Sequence, residues 1–215
     1  MCLSRSKQLS LWPAIFYLHI PEKKKRGLYP MPATCHQRAR HLAGFFMPGE
    51  NMPRISTSAA GGKNVCAFLD MLAWSEGTWN SRYTKDDGYD VVVGGIDSPN
   101  TFSNYAGHPN ILVKVNSKGL KSTAAGRYQL LFRWWKPYRD LLQLKDFSPE
   151  SQDRVAIQQI RERGALGDIQ AGRVREAIAK CSNIWASLPG AGYGQREHKL
   201  EDLVQQYRAA GGVVA

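Results

Sequence analysis

Long apolar runs, paired cysteines and metal-ligand clusters are what this sequence of 215 residues lacks. No stretch approaches the ~20 apolar residues that a spanning helix needs, which argues against an integral membrane protein. The four cysteines stand at positions 2, 35, 66 and 181 with no CxxC spacing, so neither a zinc ribbon nor a disulfide framework is indicated. HExxH is missing, and His108 and His198 are isolated, so no metal site and no cofactor is expected. There is no GxSxG, and Cys66 has no paired histidine. Cys66 and Cys181 are expected as core thiols. The run Gly190-Ala-Gly-Tyr-Gly194 is not a dinucleotide fingerprint, because no βαβ unit surrounds it.

What is present is enough for a folded domain. The hydrophobic fraction is 43% and there are six tryptophans, too apolar for wholesale disorder. The net charge of +11 is unevenly spread. The first 51 residues hold eight Lys or Arg against two acids, leaving 21 against 16 for the rest. Residues 9–20 loosely resemble a secretion signal, but they contain Pro13, run into EKKKR and lack a small-x-small cleavage site. Residues 1–63 are therefore expected to be a basic extension, disordered or the product of a misassigned start with Met52 as initiator. Residues 64–215 are expected to be the folded domain.

From residue 64 the pattern becomes regular. Val65, Phe68, Leu69 and Leu72 recur at helical spacing, and Gly77 predicts a helix end near Glu76. Tyr89–Val93 is β-prone, with Gly94-Gly95 as a turn. Thr123 is expected to cap a helix through Trp135, and Pro137 to open another. Ser148-Pro149-Glu150 predicts a helix start, ended by Gly164. Further helices are expected over 172–182 and 195–210. Helices with one β-rich insertion make an α+β fold.

Three segments could carry chemistry. Glu76 ends a helix, where the helix dipole disfavours its anion, and Trp74 and Trp79 could wall it with apolar surface. Both effects raise a carboxyl pKa, as a general acid near neutral pH requires. The bland alternative is an exposed helix-terminal acid. Ser122 to Leu131, with small residues, then Gly126, then Tyr128-Gln129 at a helix start, would let a ligand approach the backbone closely, or simply pack as a capped helix. Cys181 to Gln195 ends in a Gly-rich loop carrying Tyr193 and Gln195, suited to stacking on and bonding a sugar, or an ordinary connection between helices. Asp90 and Asp97 remain candidates for a second carboxylate; Asp86 and Asp87 read as turn residues.

The segments FLDMLAWSEGT (68–78), GYDVVVGG (88–95), KSTAAGRYQLL (121–131), LKDFSPESQDRVAIQQIRERGAL (144–166) and CSNIWASLPGAGYGQREHK (181–199) resemble the lambda endolysin (lambda lysozyme) family of phage lytic transglycosylases. The resemblance runs over about residues 64–212 in unbroken order. It implies a lysozyme-like fold, mostly helical, with a small β-hairpin lobe and a groove between lobes. It implies cleavage of the β-1,4 bond between N-acetylmuramic acid and N-acetylglucosamine, leaving a 1,6-anhydromuramoyl end, for host lysis. The family's catalytic glutamate falls on Glu76, and Tyr128, Gln129, Tyr193 and Gln195 fall on groove-lining stretches as sugar contacts. The expected partner is the peptidoglycan strand, bound by a monomer without stable membrane insertion. A holin would release the enzyme from the host cytoplasm to the wall. Two other readings stay open: a hydrolysing muramidase with a second carboxylate, and a non-enzymatic binder of wall or nucleic acid. Basicity fits both polymers, but no helix-turn-helix, zinc-finger or RNP pattern supports nucleic acid.

Overall fold

Helix α2 (Lys63–Ser75) is the element around which the others gather. In the computed structural model, which describes residues 54–194 and 196–215, the expected face of Val65, Phe68, Leu69 and Leu72 is buried. So are Cys66, Ala67, Met71 and Ala73, on the remaining faces. A helix covered on every side is a core helix. It has Gly62 at its N-cap position and no side-chain cap, so tertiary burial holds it rather than local propensity. Against it pack α1 (Thr57–Ala60), α4 (Pro149–Glu162), α5 (Leu166–Gln170) and α7 (Leu200–Ala209). Between α5 and α7 runs α6 (Val174–Cys181), ending in a buried free thiol, as expected of Cys181.

A second apolar cluster joins Leu130, Trp135, Tyr138, Phe147 and Val155, between α3 (Phe132–Leu142) and α4. The β lobe is small: β1 (Val113–Lys114) pairs antiparallel with β2 (Lys121–Ser122), Val113 opposite Ser122. The expected strand at Tyr89–Val93 is not continuous. Val92 and Val93 donate to Asn100 and Ala124, while Val91 accepts from Gly126. Its backbone groups are thus divided between two separate segments, leaving isolated bridges to Thr101 and Ala125. Among the described residues, no helix is long and apolar enough to cross a membrane.

Several expected boundaries move. Residues 123–131 are not helical, because Gly126 and Gln129 take φ of 81° and 52° and turn the chain back, pairing Ala125 with Leu130. Thr123 still caps, though at a distance: its hydroxyl accepts the Phe132 amide at 3.2 Å, the first residue of α3. Pro137 lies inside α3 instead of opening a helix. The last helix begins at Leu200 instead of 195, since residues 196–199 are not helical and Lys199 is extended at φ -73° and ψ 143°. The domain also begins earlier than residue 64. Ile55 is 5% exposed in the core, its amide donates to Asp153 Oδ2 at 2.9 Å, and Arg54 pairs with Asp86 and Asp87. The proposed initiator Met52 and the rest of the extension to residue 53 lie outside the described residues.

Candidate active site

Glu76 is the C-cap residue of α2, still near helical geometry, and Gly77 reverses the chain at φ 68°. That left-handed position is why a glycine follows. Two residues on, the buried Thr78 hydroxyl donates to Arg127 O at 2.6 Å. The stretch 76–78 is thereby clamped between the core helix and the Gly126 turn. Glu76 opens into a cavity of about 390 Å³, lined also by Trp74, Asn80, Ser187, Arg196 and His198.

Burial pushes the Glu76 carboxyl up to about 7, with a Ser187 hydrogen bond acting in the opposite direction. A carboxyl at that value holds a proton near neutral pH and can also release it. The Ser187 hydroxyl lies 2.6 Å from Glu76 Oε1 and 3.0 Å from Ser75 Oγ. His198 braces this arrangement twice: its amide donates to Ser187 O at 2.8 Å, and its Nε2 donates to Ser75 O at 3.1 Å. The His198 ring rests on Trp74 at 4.5 Å between centroids.

The other expected site residues are dispersed. Tyr128 is a core residue, 5% exposed, with its hydroxyl donated to Asp153 at 2.7 Å; ring and hydroxyl are both committed inside the protein. Gln129 is half-buried and donates its amide to Gly126 O at 3.0 Å, closing the turn. Tyr193 donates its hydroxyl to Asn183 O at 2.8 Å, bracing its own loop. None of these three lines the Glu76 cavity. Gln195 lies outside the described residues. Of the two tryptophans, Trp74 walls the cavity as expected, whereas Trp79 packs against the core.

The two candidate second carboxylates are occupied elsewhere. Asp90 is 5% exposed and accepts from the Thr84 hydroxyl and the Lys85 amide. Asp97 accepts the Lys114 amide at 2.6 Å, beside β1. Among the described residues, Glu76 is the one carboxylate lining its cavity. Sequence reasoning missed Ser187, Asn80, Arg196 and His198. Only the Gly-rich loop pointed toward any of them, and it pointed to Tyr193 and Gln195 instead.

A proton-holding glutamate at the closing end of a core helix, open to a cavity in a mostly helical fold with a small β lobe, defines a lysozyme-like enzyme. The family model for Endolysin matches residues 66–214. The chain belongs to that family, the peptidoglycan-degrading enzymes of phage host lysis. It is 63% identical over 149 residues to the endolysin of Escherichia phage lambda, covering 69% of this chain and 91% of that one. It is 60% identical over 169 residues to the endolysin of Escherichia phage P2, covering 76% of this chain and 100% of that one. Among solved structures, bacteriophage lambda lysozyme complexed with a chitohexasaccharide superimposes with a TM-score of 0.66 at 61% identity, over 71% of this chain and 96% of its own. A second lambda lysozyme structure gives 0.64 at 58% identity, over 72% and 97%.

Proposed function

We propose that the protein is a lytic transglycosylase, cleaving the β-1,4 bond between N-acetylmuramic acid and N-acetylglucosamine with Glu76 as its single acid/base. The observation that carries the reading is Glu76 as the one carboxylate among the described residues that line the cavity. Protonated Glu76 gives its proton to the glycosidic oxygen as the C1–O bond breaks. The resulting carboxylate takes the proton of the muramoyl C6 hydroxyl as O6 bonds to C1. Glu76 ends protonated again, and no water is consumed. The nucleophile is part of the substrate, so its proximity is built in. A hydrolase of the usual kind would place a second carboxylate ~5–9.5 Å away, and Asp90 and Asp97 are engaged in their own loops.

The groove reading rests on the relative that holds a chitohexasaccharide, a chain of β-1,4-linked amino sugars. Peptidoglycan differs from that chain in its lactyl and peptide carboxylates. Arg196, an exposed cation lining the cavity with no ion pair among the described residues, suits that difference. Accumulation in the host cytoplasm and release through a holin complete the reading.

Mass spectrometry of the muropeptides released from purified peptidoglycan tests it. Anhydromuramoyl ends are the expected product; reducing muramoyl ends, one water heavier, would replace this mechanism with hydrolysis. A non-enzymatic wall binder would release nothing, and in that case Glu76→Gln would change nothing.

A further inference from the structure

The Ser187 hydroxyl owns one proton and has two acceptors within reach. Glu76 Oε1 lies at 2.6 Å and Ser75 Oγ at 3.0 Å. The Ser75 hydroxyl is already committed: it is buried and donates to Leu72 O at 2.8 Å, the last turn of α2. Ser75 can therefore only accept from Ser187. Two arrangements bear on the chemistry. When Glu76 is neutral, the hydroxyl of Ser187 can point to Ser75 Oγ and complete a chain from Ser187 through Ser75 to the α2 carbonyl. When Glu76 is ionised, the same hydroxyl rotates to Oε1 and makes a charge-assisted bond, about twice as strong as a neutral one.

We propose that Ser187 is a positioning residue for Glu76, its hydroxyl changing acceptor from Ser75 to Glu76 as the carboxyl loses its proton. The inference rests on the reading of Glu76 as acid/base. It explains why both serines sit where they do. His198 holds Ser187 O with its amide and Ser75 O with its ring nitrogen, which sets the separation between the two hydroxyls. Glu76 Oε2 accepts no bond from any described side chain, so it is the oxygen left to exchange the proton with substrate. A bond that strengthens as charge develops stabilises the transition state more than the ground state.

The two serines predict opposite effects, which a merely structural disturbance would not. Activity needs protonated Glu76 at the start of the cycle, so kcat falls on the alkaline side as Glu76 ionises. Ser187→Ala removes a bond that favours the anion, and its alkaline limb should move up by about one pH unit, with kcat down about tenfold. Ser187→Thr keeps the hydroxyl and should restore both. Ser75→Ala removes the acceptor that favours the neutral state, and its limb should move down. The experiment records pH profiles of kcat on purified peptidoglycan for the full chain and these variants, with Glu76→Gln alongside. Wild-type limbs in Ser187→Ala, shifts of the same sign in both alanine variants, or a Thr variant as impaired as Ala would overturn the serine's role. Activity in Glu76→Gln would overturn the acid/base reading itself. If Ser187→Ala does not fold, the downward shift in Ser75→Ala decides, and its absence rejects the proposal.

Discussion

At the scale of single residues, the raised carboxyl of Glu76 carries a stability cost. Its folded-state value of about 7 lies above the ordinary 4.5. A raised carboxyl destabilises the fold as pH climbs above the unfolded value, and the penalty is complete once pH passes the folded value. Glu76→Gln should therefore be more stable than the parent at pH 8, by ~1–3 kcal/mol, with the gap closing near pH 4.5. Thermal melts at the two pH values check this, and equal melts at pH 8 would contradict a carboxyl raised to about 7 in the folded state. The same variant should lose about a thousandfold or more in wall clearing, at the upper part of what one acid/base supplies. Arg196→Ala makes a different prediction. It should slow cleavage of stem-bearing peptidoglycan several-fold while leaving cleavage of strands stripped of peptides unchanged, and equal losses on both would reject a stem-reading role. The helix-terminal place of Glu76 was legible in the sequence from the apolar period and Gly77, whereas its reading as the acid/base came from the family resemblance. Ser187 was not legible. A serine in a loop acquires its meaning only from contact with Ser75 and Glu76, more than 110 positions away.

At the scale of elements, the site depends on the loop from Ser187 to His198. Its Gly-rich tip is held by Glu197, whose two carboxylate oxygens accept the Gly190 and Gly192 amides at 2.9 and 2.8 Å. These amide bonds hold the Glu197 carboxyl below the usual value, so the latch is present at neutral pH and weakens as pH falls through that lowered value. Glu197→Ala should raise hydrogen exchange at the Gly190 and Gly192 amides about tenfold while α2 stays protected. Unchanged exchange would mean that the loop is held by Tyr193 and its other contacts alone. The turn at 126–129 shows where element prediction failed. Its small residues and following Leu-Leu pair have helical propensity, but a Cβ at Gly126 would collide with the Gln152 amide. That amide accepts the Arg127 N–H and donates to Tyr89 O and Phe147 O. Such a tertiary requirement has no local signature. Helices α2 and α4 were legible because their signals are local: an apolar period and Gly77 for α2, the Ser148-Pro149-Glu150 start and Gly164 for α4.

At the scale of the whole molecule, the unresolved matter in the sequence was where the folded domain begins, and here packing offers a sharper criterion than composition. Residues 1–63 read as a basic extension, yet Ile55 and Ala60 belong to the same core as α2. Asp153 explains the connection. This buried carboxylate accepts the Tyr89 and Tyr128 hydroxyls and the Ile55 amide, so the N-terminal segment completes a polar network that α4 and the Gly126 turn begin. Two truncations should therefore behave differently. Removing residues 1–51 should leave the melting temperature and the intrinsic rate unchanged. Removing residues 1–63 takes away the buried Ile55 and Ala60 and one of the three donors to Asp153, a loss of about 3 kcal/mol, or roughly 6–12 °C for a domain of this size. The exposed Arg54 pairs add little to that figure. The shorter truncation should change something else. The first 51 residues carry more than half of the net charge of +11, and attraction to an anionic wall is long-ranged and screened by salt. Clearing by the protein lacking 1–51 should fall less steeply with added salt, and its rate should meet that of the full chain at high salt. Melting curves and clearing rates across a salt series check both claims. A melting temperature that drops with the first 51 residues would show that the extension belongs to the fold, and parallel salt curves would show that its charge never meets the wall.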